Sequence, residues 1–499
     1  MKNKHYYMLL GFIFIVTLGS RLYLAFQNEN FEPAGYSILR NVENIRHYGI
    51  PLFNDPLSYG GRYIIFPPLF HYFLAFFNLF MPINLVGKII PNVCASSLVI
   101  IAFFISLEIT KNRQAALFTA LLSGFIPIFY SKTINTVSIY TLVIPLTFLA
   151  LYFFMKITND PQSVVPFIVV IALLRYTHAS IVLFVFALLF YLILIYTENL
   201  KRIQPEIELI LFITFVVIWS LFISYKQAFL MHGPLVVWQN IPQQILSAYF
   251  SDITLFQAIY EIGIIPIIFG VYVIYKYIFK EKNKSLYLLI SFVIPIFILL
   301  WFKLIELIVG LMFLGVILVL LFGQFYKMFF TYIKKTKFSR YEWLFIVVLF
   351  ISFLFTSVFP SIYYAQFENK SIVTKDEINA LTWLRDNAEN DSTVLATIPE
   401  GDLITYFAEK KNVADQNFLL IKDINQRYAD IQTMYQSSLK TEVIRLLNQY
   451  EVNYIYFSDR AKEQYNIQQL AYLGDNSCFE LVYANGPNIY RSRCVIEEK

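Results

Sequence analysis

The sequence predicts a polytopic α-helical membrane protein with about eleven spans, followed by a small α/β domain outside the membrane. Of its 499 residues, 58% are hydrophobic and only 15% are Asp, Glu, Lys or Arg, against roughly 25% charged residues in an average soluble domain. Long apolar segments recur up to about residue 365, and the residues after about 366 are polar. A soluble fold could not bury so many apolar side chains. The composition therefore excludes an ordinary soluble enzyme, a disordered protein and a nucleic-acid-binding protein.

The individual spans follow from apolar segments that approach the roughly 20 residues needed to cross a bilayer. Lys2 and Lys4 precede the first apolar segment, and no small-residue cleavage site follows it. We therefore predict an uncleaved first span rather than a signal peptide. The predicted spans lie near 8–26, 88–108, 114–131, 136–155, 163–176, 179–196, 206–225, 257–278, 285–301, 305–325 and 343–362.

Residues 63–82 are the segment on which the predicted topology depends most. A crossing here would invert every later span, but Pro67, Pro68, His71 and Asn78 interrupt its apolar character. We predict an interfacial helix inside a first outer loop of about residues 27–87.

The orientation of the spans follows from the basic residues of the short loops. Lys and Arg concentrate in alternate loops, which face the cytoplasm by the positive-inside rule. This places the N-terminus inside. With an odd number of spans, the C-terminal domain is then outside. We expect a transmembrane domain over 1–365 and an extracytoplasmic α/β domain over 366–499. The basic residues of the inside loops are Lys111, Arg113, Lys156, Lys201, Arg202, Lys276, Lys280, Lys282, Lys284, Lys327, Lys334, Lys335, Lys337 and Arg340.

Unusual polar residues of the membrane region gather at the predicted outer face. Charges near membrane depth are costly unless paired or hydrated, so they point to function. Around an outward cavity, cations would hold a lipid phosphate and a carboxylate would act as a base. The outer-face residues are Glu32, Arg40, Glu43, Arg46, His47, Asp55, Arg62, His71, Arg175, His178, Lys226, His232, Asp252, Lys303 and Glu306.

Structural explanations remain open for several of these side chains. Arg175, Lys303 and Glu306 could extend to the membrane interface, and Lys303 and Glu306 have the i, i+3 spacing of a helical ion pair. Asp55 precedes Pro56 and could serve as a turn residue.

The order of short motifs after the first span carries a family resemblance. Glu32 lies early in the outer loop, in F-E-P-A-G-Y, and R-N-V-E-N-I-R-H-Y-G, D-P-L-S-Y-G-G-R and P-P-L-F-H-Y follow it. This arrangement resembles the GT-C class of membrane glycosyltransferases, which includes protein mannosyltransferases, aminoarabinose transferases and the catalytic subunits of oligosaccharyltransferases. The resemblance covers the whole membrane region in architecture, and its specific motifs lie within about residues 20–80.

The resemblance implies a GT-C-like fold and transfer of a sugar from a polyprenyl-phosphate-linked donor at the outer face. An Asp or Glu early in the first outer loop acts in that class as general base or orients the acceptor. By position, Glu32 is the first candidate for this role and Asp55 the second. By location, Arg62, Arg175 and Lys303 are candidates for the donor phosphate. His71, His178 and Asp252 are candidates for the acceptor or for the cavity wall.

Two departures from the oligosaccharyltransferase pattern narrow the expected acceptor. Residues 398–402 read I-P-E-G-D where a W-W-D-Y-G motif would recognise an acceptor sequon, and residues 131–136 lack the D-x-D acids that bind metal in that group. Transfer to asparagine and a bound divalent metal are therefore not supported. The acceptor is expected to be a lipid-linked glycan, a lipid or a protein hydroxyl.

Two other classes of function remain as alternatives. A transporter or flippase of an anionic lipid or glycan could use the same cavity, and a non-catalytic scaffold could bind a partner through the C-terminal domain. A transporter predicts ionisable residues at mid-bilayer and near the inner face. Few are present, which favours the transferase.

Local signals define the expected C-terminal α/β domain. Thr374 and Glu377 fit a helix capping box, and strands are predicted over 392–397 and 453–458. Pro399 would begin a helix, and another helix is expected near 460–472. Residues 479–483 and 489–493 predict a hairpin around Asn485-Gly486-Pro487. Cys478 and Cys494 flank that hairpin and could form a disulfide outside the cell.

Overall fold

A computed structural model describes residues 3–200, 203–251, 253–474 and 478–495 of the chain. Seven of its helical segments are long and apolar enough to cross a membrane, and a bent pair of helices adds an eighth. Three shorter apolar helices lie at Leu69–Asn78, Pro161–Thr177 and Ile181–Thr197. The polytopic helical class predicted from the sequence is confirmed.

Every predicted span corresponds to one helix or to two consecutive helices. The first outer loop contains two additional helices, and the 226–256 loop contains one. The helices are α1 (Asn3–Ala25), α2 (Pro33–Tyr48), α3 (Leu69–Asn78), α4 (Ile83–Thr110), α5 (Arg113–Gly124), α6 (Pro127–Ser131), α7 (Tyr140–Ile157), α8 (Val164–Thr177), α9 (Ile181–Thr197), α10 (Gln204–His232), α11 (Gln243–Ser251), α12 (Leu255–Ile262), α13 (Ile264–Phe279), α14 (Lys284–Trp301), α15 (Leu307–Ile333), α16 (Glu342–Phe353) and α17 (Phe359–Glu368).

Two of the predicted continuous spans are broken. The span expected over 114–131 divides into α5 and α6, because Pro127 at the start of α6 has no N–H to continue the helix. The span expected over 257–278 bends by 93° between α12 and α13. Gly263 occupies the bend with φ of 106°, which a residue with a side chain rarely adopts.

The segment on which the topology depended forms the short helix α3. Its ten residues extend about 15 Å at 1.5 Å per residue, about half of the roughly 30 Å hydrocarbon core. Phe76 in this helix and Phe80 just after it are exposed, while Phe70 and Leu74 are buried against the protein. The helix is too short to cross a membrane by itself, and its one exposed and one buried side agree with the predicted interfacial position.

Helix α15 forms the centre of the membrane region and packs against α5, α13 and α14. Of the residues in its most apolar stretch, 89% are buried within the protein. Close packing also depends on Gly323, where an added Cβ would lie 2.4 Å from Thr119 Oγ1 and 2.5 Å from Ser106 Oγ. Small side chains at such crossings let membrane helices approach closely.

The C-terminal region is an α/β unit built on a five-stranded sheet. The strand order is β4-β3-β5-β7-β6, with β3 parallel to both β4 and β5 and the β6–β7 hairpin antiparallel. Its elements are α18 (Lys375–Asn387), β3 (Thr393–Leu395), α19 (Gly401–Leu403), β4 (Lys411–Asn412), α20 (Ile424–Gln436), α21 (Lys440–Gln449), β5 (Val452–Phe457), α22 (Asp459–Tyr465), β6 (Phe479–Tyr483) and β7 (Asn488–Ser492). A short hairpin of β1 (Asn54–Asp55) and β2 (Arg62–Tyr63) lies in the first outer loop.

Most local predictions for this domain are confirmed. The capping box of Thr374 and Glu377 begins α18, and Cys478 and Cys494 form a disulfide beside the predicted hairpin. The helix expected over 460–472 is wrong in length, because α22 ends at Tyr465 and the next residue, Asn466, has a left-handed conformation. The segment after Pro399 forms short, irregular helical turns rather than one regular helix.

Candidate active site

Glu32 lies where the first outer loop meets the beginning of the C-terminal domain. It is the N-cap residue of α2, and Pro33 at the first helical position fixes the direction of that helix. Backbone hydrogen bonds of Glu32 and of the preceding residue, Phe31, hold it in place. The Glu32 N–H donates to the Asn135 carbonyl at 3.1 Å, and the Val373 N–H donates to the Phe31 carbonyl at 3.0 Å. Glu32 is therefore positioned by three segments that are distant in sequence.

Lys132, Glu368 and Arg460, all from distant segments, act electrostatically on this carboxylate. Lys132 Nζ lies 2.6 Å from Glu368 Oε1, and both groups act electrostatically on Glu32. Glu261, at the end of α12, interacts with the same lysine and the same glutamate. The four residues Glu32, Lys132, Glu261 and Glu368 are called the acidic cluster below. It contains three carboxylates and one ammonium group.

The contacts of the acidic cluster leave part of its charge unpaired. Ser371 Oγ donates to Glu32 Oε1 at 2.9 Å. Gln257 donates to Glu261 Oε1 at 2.8 Å, but Glu261 Oε2 is buried without a hydrogen-bond partner among the described residues. A buried carboxylate oxygen without a partner costs free energy. Such sites are retained where function requires them.

The surroundings of Glu32 raise the pKa of its carboxyl. Burial is the largest cause, and the nearby Glu368 carboxylate acts in the same direction. The Ser371 hydrogen bond and the charges of Lys132 and Arg460 oppose the shift without cancelling it. A carboxylate with a raised pKa is a stronger base than an exposed one, which suits proton transfer from a hydroxyl group.

The acidic cluster does not fit a divalent metal ion. In the described part of the chain, no three His, Cys, Asp or Glu side chains are grouped as metal ligands. Lys132, in the loop between α6 and α7, instead pairs with Glu368 and acts electrostatically on Glu32. This loop, residues 131–136, is also the one that lacks the D-x-D acids. An ammonium group thus supplies the positive charge at this point.

Asp55 and Arg62 belong to a separate group of charges, at the β1–β2 hairpin. Asp55 forms a two-bond ion pair with Arg40, at 2.6 and 2.9 Å, and accepts the N–H groups of Leu57 and Ser58. These contacts match the turn role left open for Asp55. They also leave it outside the set of charges that act on Glu32.

Arg62 joins the hairpin to the C-terminal domain. Its Nη2 donates to Asp415 Oδ1 at 2.8 Å, and its Nη1 donates to the Asn417 carbonyl. Tyr59 lies beside it, with the Arg62 guanidinium 4.4 Å from the ring centroid and the Tyr59 hydroxyl bonded to the Asp415 carbonyl at 2.7 Å. The pairs Arg40–Asp55 and Arg62–Asp415, together with Tyr59, are called the hairpin anchor below.

The other two donor-phosphate candidates also have protein contacts. Arg175 is buried and joins α8 to α10 through Ser220 and Ser224, at 2.6 to 2.7 Å. Lys303 places its ammonium 5.5 Å from the ring centroid of Phe250. Neither acts on Glu32 among the described charges. Their assignment to the donor phosphate remains a prediction.

The three acceptor or cavity candidates have different environments. His71 is buried against Phe66, and burial lowers its pKa to about 4, so it is neutral. His178 accepts the Ser180 N–H at 3.1 Å and packs on Tyr140. Asp252 lies outside the described residues.

Comparison with known proteins agrees with this architecture. Residues 66–222 match the sequence model of the dolichyl-phosphate-mannose-protein mannosyltransferase family. None of the curated proteins compared matches the sequence. The apo oligosaccharyltransferase of Archaeoglobus fulgidus is similar in structure, with a TM-score of 0.69 and 12% identity, over 94% of this chain and 72% of that one.

Two further similar structures contain lipid phosphates. The A. fulgidus oligosaccharyltransferase AglB in complex with an inhibitory peptide and a dolichol-phosphate has a TM-score of 0.64 and 12% identity, over 91% of this chain and 70% of that one. ArnT from Cupriavidus metallidurans bound to undecaprenyl phosphate has a TM-score of 0.53 and 10% identity, over 97% of both chains. The family match and these folds support a GT-C class glycosyltransferase, which confirms the resemblance found in the sequence.

Sequence reasoning found Glu32 but missed the rest of the acidic cluster. Lys132 was noted only as part of a loop without acids, and Glu368 falls at the end of a span. Glu261 carried one usable signal. It is an acidic residue at the end of an apolar segment, two residues before Gly263, and charges in such positions are uncommon in membrane helices.

Proposed function

We propose that the chain transfers a sugar from a polyprenyl-phosphate-linked donor to a hydroxyl group at the outer face of the membrane. The acceptor would be a lipid-linked glycan, a lipid or a protein. The observation that supports this most is the acidic cluster, in which Glu32 lies beside one lysine at the boundary between the membrane helices and the C-terminal domain. The GT-C fold and the lipid phosphates named for AglB and ArnT support a lipid-linked donor.

Each side chain has a defined task in the proposed reaction. The Glu32 carboxylate removes the proton as the acceptor oxygen attacks the anomeric carbon. The bond from that carbon to the donor phosphate breaks, and the lipid phosphate leaves with the bonding electrons. The Lys132 ammonium stabilises the charge that develops on this phosphate. Attack opposite the leaving group inverts the anomeric configuration.

The charges of the acidic cluster favour a donor with a single phosphate over a diphosphate donor. Lys132 is already paired with Glu368, and Glu32 and Glu261 add negative charge nearby. A leaving group with fewer charges is repelled less by three carboxylates. The cluster therefore suits a sugar joined through a single phosphate.

Placement of the cluster at the outer face has two independent supports. The basic residues of alternate loops place the N-terminus in the cytoplasm under the positive-inside rule. The C-terminal domain contains the Cys478–Cys494 disulfide, and such bonds persist in oxidising compartments outside the cytoplasm.

Mass spectrometry of lipid-linked and cell-surface glycans tests the proposal. The strains are intact, deleted, and deleted but complemented with the native chain, Glu32→Gln or Glu29→Gln. Glu29 is the matched control, because it is exposed and paired with Lys375 on the surface. We expect the deletion and Glu32→Gln strains to lack the same sugar unit, and Glu29→Gln to restore it. An unchanged glycan profile after deletion would refute the transferase.

A further inference from the structure

A groove that is separate from the acidic cluster lies between the β1–β2 hairpin region and α10. Its volume is about 370 Å³. One wall is aromatic, since Phe53 packs 6.4 Å from Tyr63 and 5.4 Å from Phe66, measured between ring centroids. The groove is lined by Phe53, Tyr63, Ile65, Ile223, Ser224, Lys226, Gln227 and Leu230.

The second wall is one face of α10. Ile223, Lys226, Gln227 and Leu230 have the i, i+3, i+4, i+7 spacing that places side chains on the same side of a helix. Apolar residues occupy both ends of this stripe, and an ammonium and an amide occupy its centre. The wall therefore offers a polar spot between two apolar surfaces.

The position of Lys226 along α10 places the groove at the depth of lipid headgroups. Glu206 pairs with Lys284 at 2.7 Å near the other end of α10, beside the lysine-rich loop. Lys226 follows twenty residues later, a distance of about 30 Å along the helix. That distance equals the hydrocarbon thickness of a typical bilayer, so we infer that the two residues lie near opposite interfaces.

The groove also opens toward the bilayer. Helix α10 is mostly uncovered by protein, and Trp219, Phe222 and Leu230 expose about half or more of their surface, at 56%, 49% and 74%. A lipid could enter sideways between α10 and the first outer loop without crossing the acidic cluster, which shares no lining residue with the groove.

The charge of the groove selects for an anion. None of its eight lining residues is acidic, and Lys226 is its single cation. Lys226 is exposed and forms no ion pair with the described residues. Arg175 adds positive charge from behind the wall through its bond to Ser224 at 2.6 Å, but its contacts keep it out of the groove.

We propose that this groove binds an anionic phospholipid of the surrounding bilayer. The phosphodiester contacts Lys226. Ser224 offers a hydroxyl and Gln227 an amide to a glycerol headgroup. The first part of an acyl chain packs on Phe53, Ile65 and Leu230. One negative charge on the diester matches the one lysine in the groove. The lipid fills the gap between α10 and the first outer loop.

Photo-crosslinking in nanodiscs tests this site. The full chain is reconstituted with a photoactivatable phosphatidylglycerol, and the labelled peptides are mapped by mass spectrometry. We expect labels on residues 53–65 and 223–230. Lys226→Gln should reduce them about fivefold, the effect of losing about 1 kcal/mol for one lysine at a lipid surface. Lys375→Gln, which removes an exposed lysine elsewhere, should not.

Three results would overturn the proposal. Equal labelling by photoactivatable phosphatidylcholine would make the groove an unselective apolar surface. Loss of the label with equimolar undecaprenyl phosphate would make it a carrier site instead. Labelling that is unchanged in Lys226→Gln would exclude the lysine as the headgroup contact. Thermal unfolding of each variant checks that it is folded.

Discussion

Two groups of charged residues lie where the first outer loop meets the C-terminal domain, and they differ in how completely they are paired. In the hairpin anchor, Arg40 meets Asp55 and Arg62 meets Asp415, with nearby hydroxyl, amide and carbonyl groups completing their bonds. A third carboxyl, Asp402, lies beside both pairs, and burial raises its pKa. In the acidic cluster, three carboxylates share Lys132, and one oxygen of Glu261 has no described partner.

Buried charges that only hold a fold are paired and fully hydrogen-bonded, because an unpaired one costs several kcal/mol. A site that must receive a charged substrate keeps part of its bonding capacity free. By this criterion we expect the hairpin anchor to be structural, and we propose the acidic cluster as the site that acts on substrate.

The largest expected effect comes from breaking the hairpin anchor. Arg62→Ala leaves Asp415 buried with its charge unpaired, because both side chains are almost fully buried, at 6% and 5% exposed. We expect a loss of about 3 to 5 kcal/mol of stability, measured as a lower thermal unfolding midpoint in detergent.

Arg385→Ala is the control for the anchor, since its ion pair with Asp386 is exposed and should contribute at most about 1 kcal/mol. If Arg62→Ala kept full stability but lost transfer activity, Arg62 would be a donor-phosphate ligand, as its location in the sequence first indicated.

A somewhat smaller effect, on rate rather than stability, is expected from Lys132→Gln. Removal of one group that stabilises a developing negative charge typically lowers kcat by about 10² to 10³. The unfolding midpoint should change little, because Lys132 and Glu368 are partly exposed, at 26% and 24%. Single-turnover transfer with a lipid-linked sugar donor measures the rate. A normal rate in Lys132→Gln would remove the lysine from the proposed mechanism.

The smallest of the three effects is expected from Glu261→Gln. This substitution removes a carboxylate charge whose two oxygens are only partly hydrogen-bonded. The protein should therefore be as stable as before or slightly more stable. Transfer should nevertheless fall about tenfold, the equivalent of about 1.4 kcal/mol in barrier height. Glu206→Gln is the matched control, since Glu206 is buried but paired with Lys284. It should lose stability and keep its intrinsic transfer rate. The opposite pattern would show that incomplete pairing does not mark function here.

The sequence predicted features that depend on neighbouring residues. Hydropathy located the spans, Thr374 and Glu377 formed their capping box, and the hairpin between Cys478 and Cys494 formed with its disulfide. Glu32 was found because it lies at a fixed place after the first span.

Contacts between distant segments could not be predicted. Ser371 reaches Glu32 across 339 residues and Lys132 reaches Glu368 across 236, and no local pattern encodes such pairings. For the same reason, the bond from Arg62 to Asp415, 353 residues away, could not be predicted. Bends such as that at Gly263 depend on the helices packed around them.

The central claim is that Glu32 acts as the base, and the pH dependence of kcat tests it most directly. Burial raises the pKa of Glu32, and only the ionised carboxylate can accept a proton. Transfer by the native enzyme should therefore fall with decreasing pH at a value above the ordinary range of a glutamate, about 4.3. In Glu32→Gln the rate should be about 10² to 10⁴ lower and should lack this acid limb. The same acid limb in Glu32→Gln, at a comparable rate, would contradict the account.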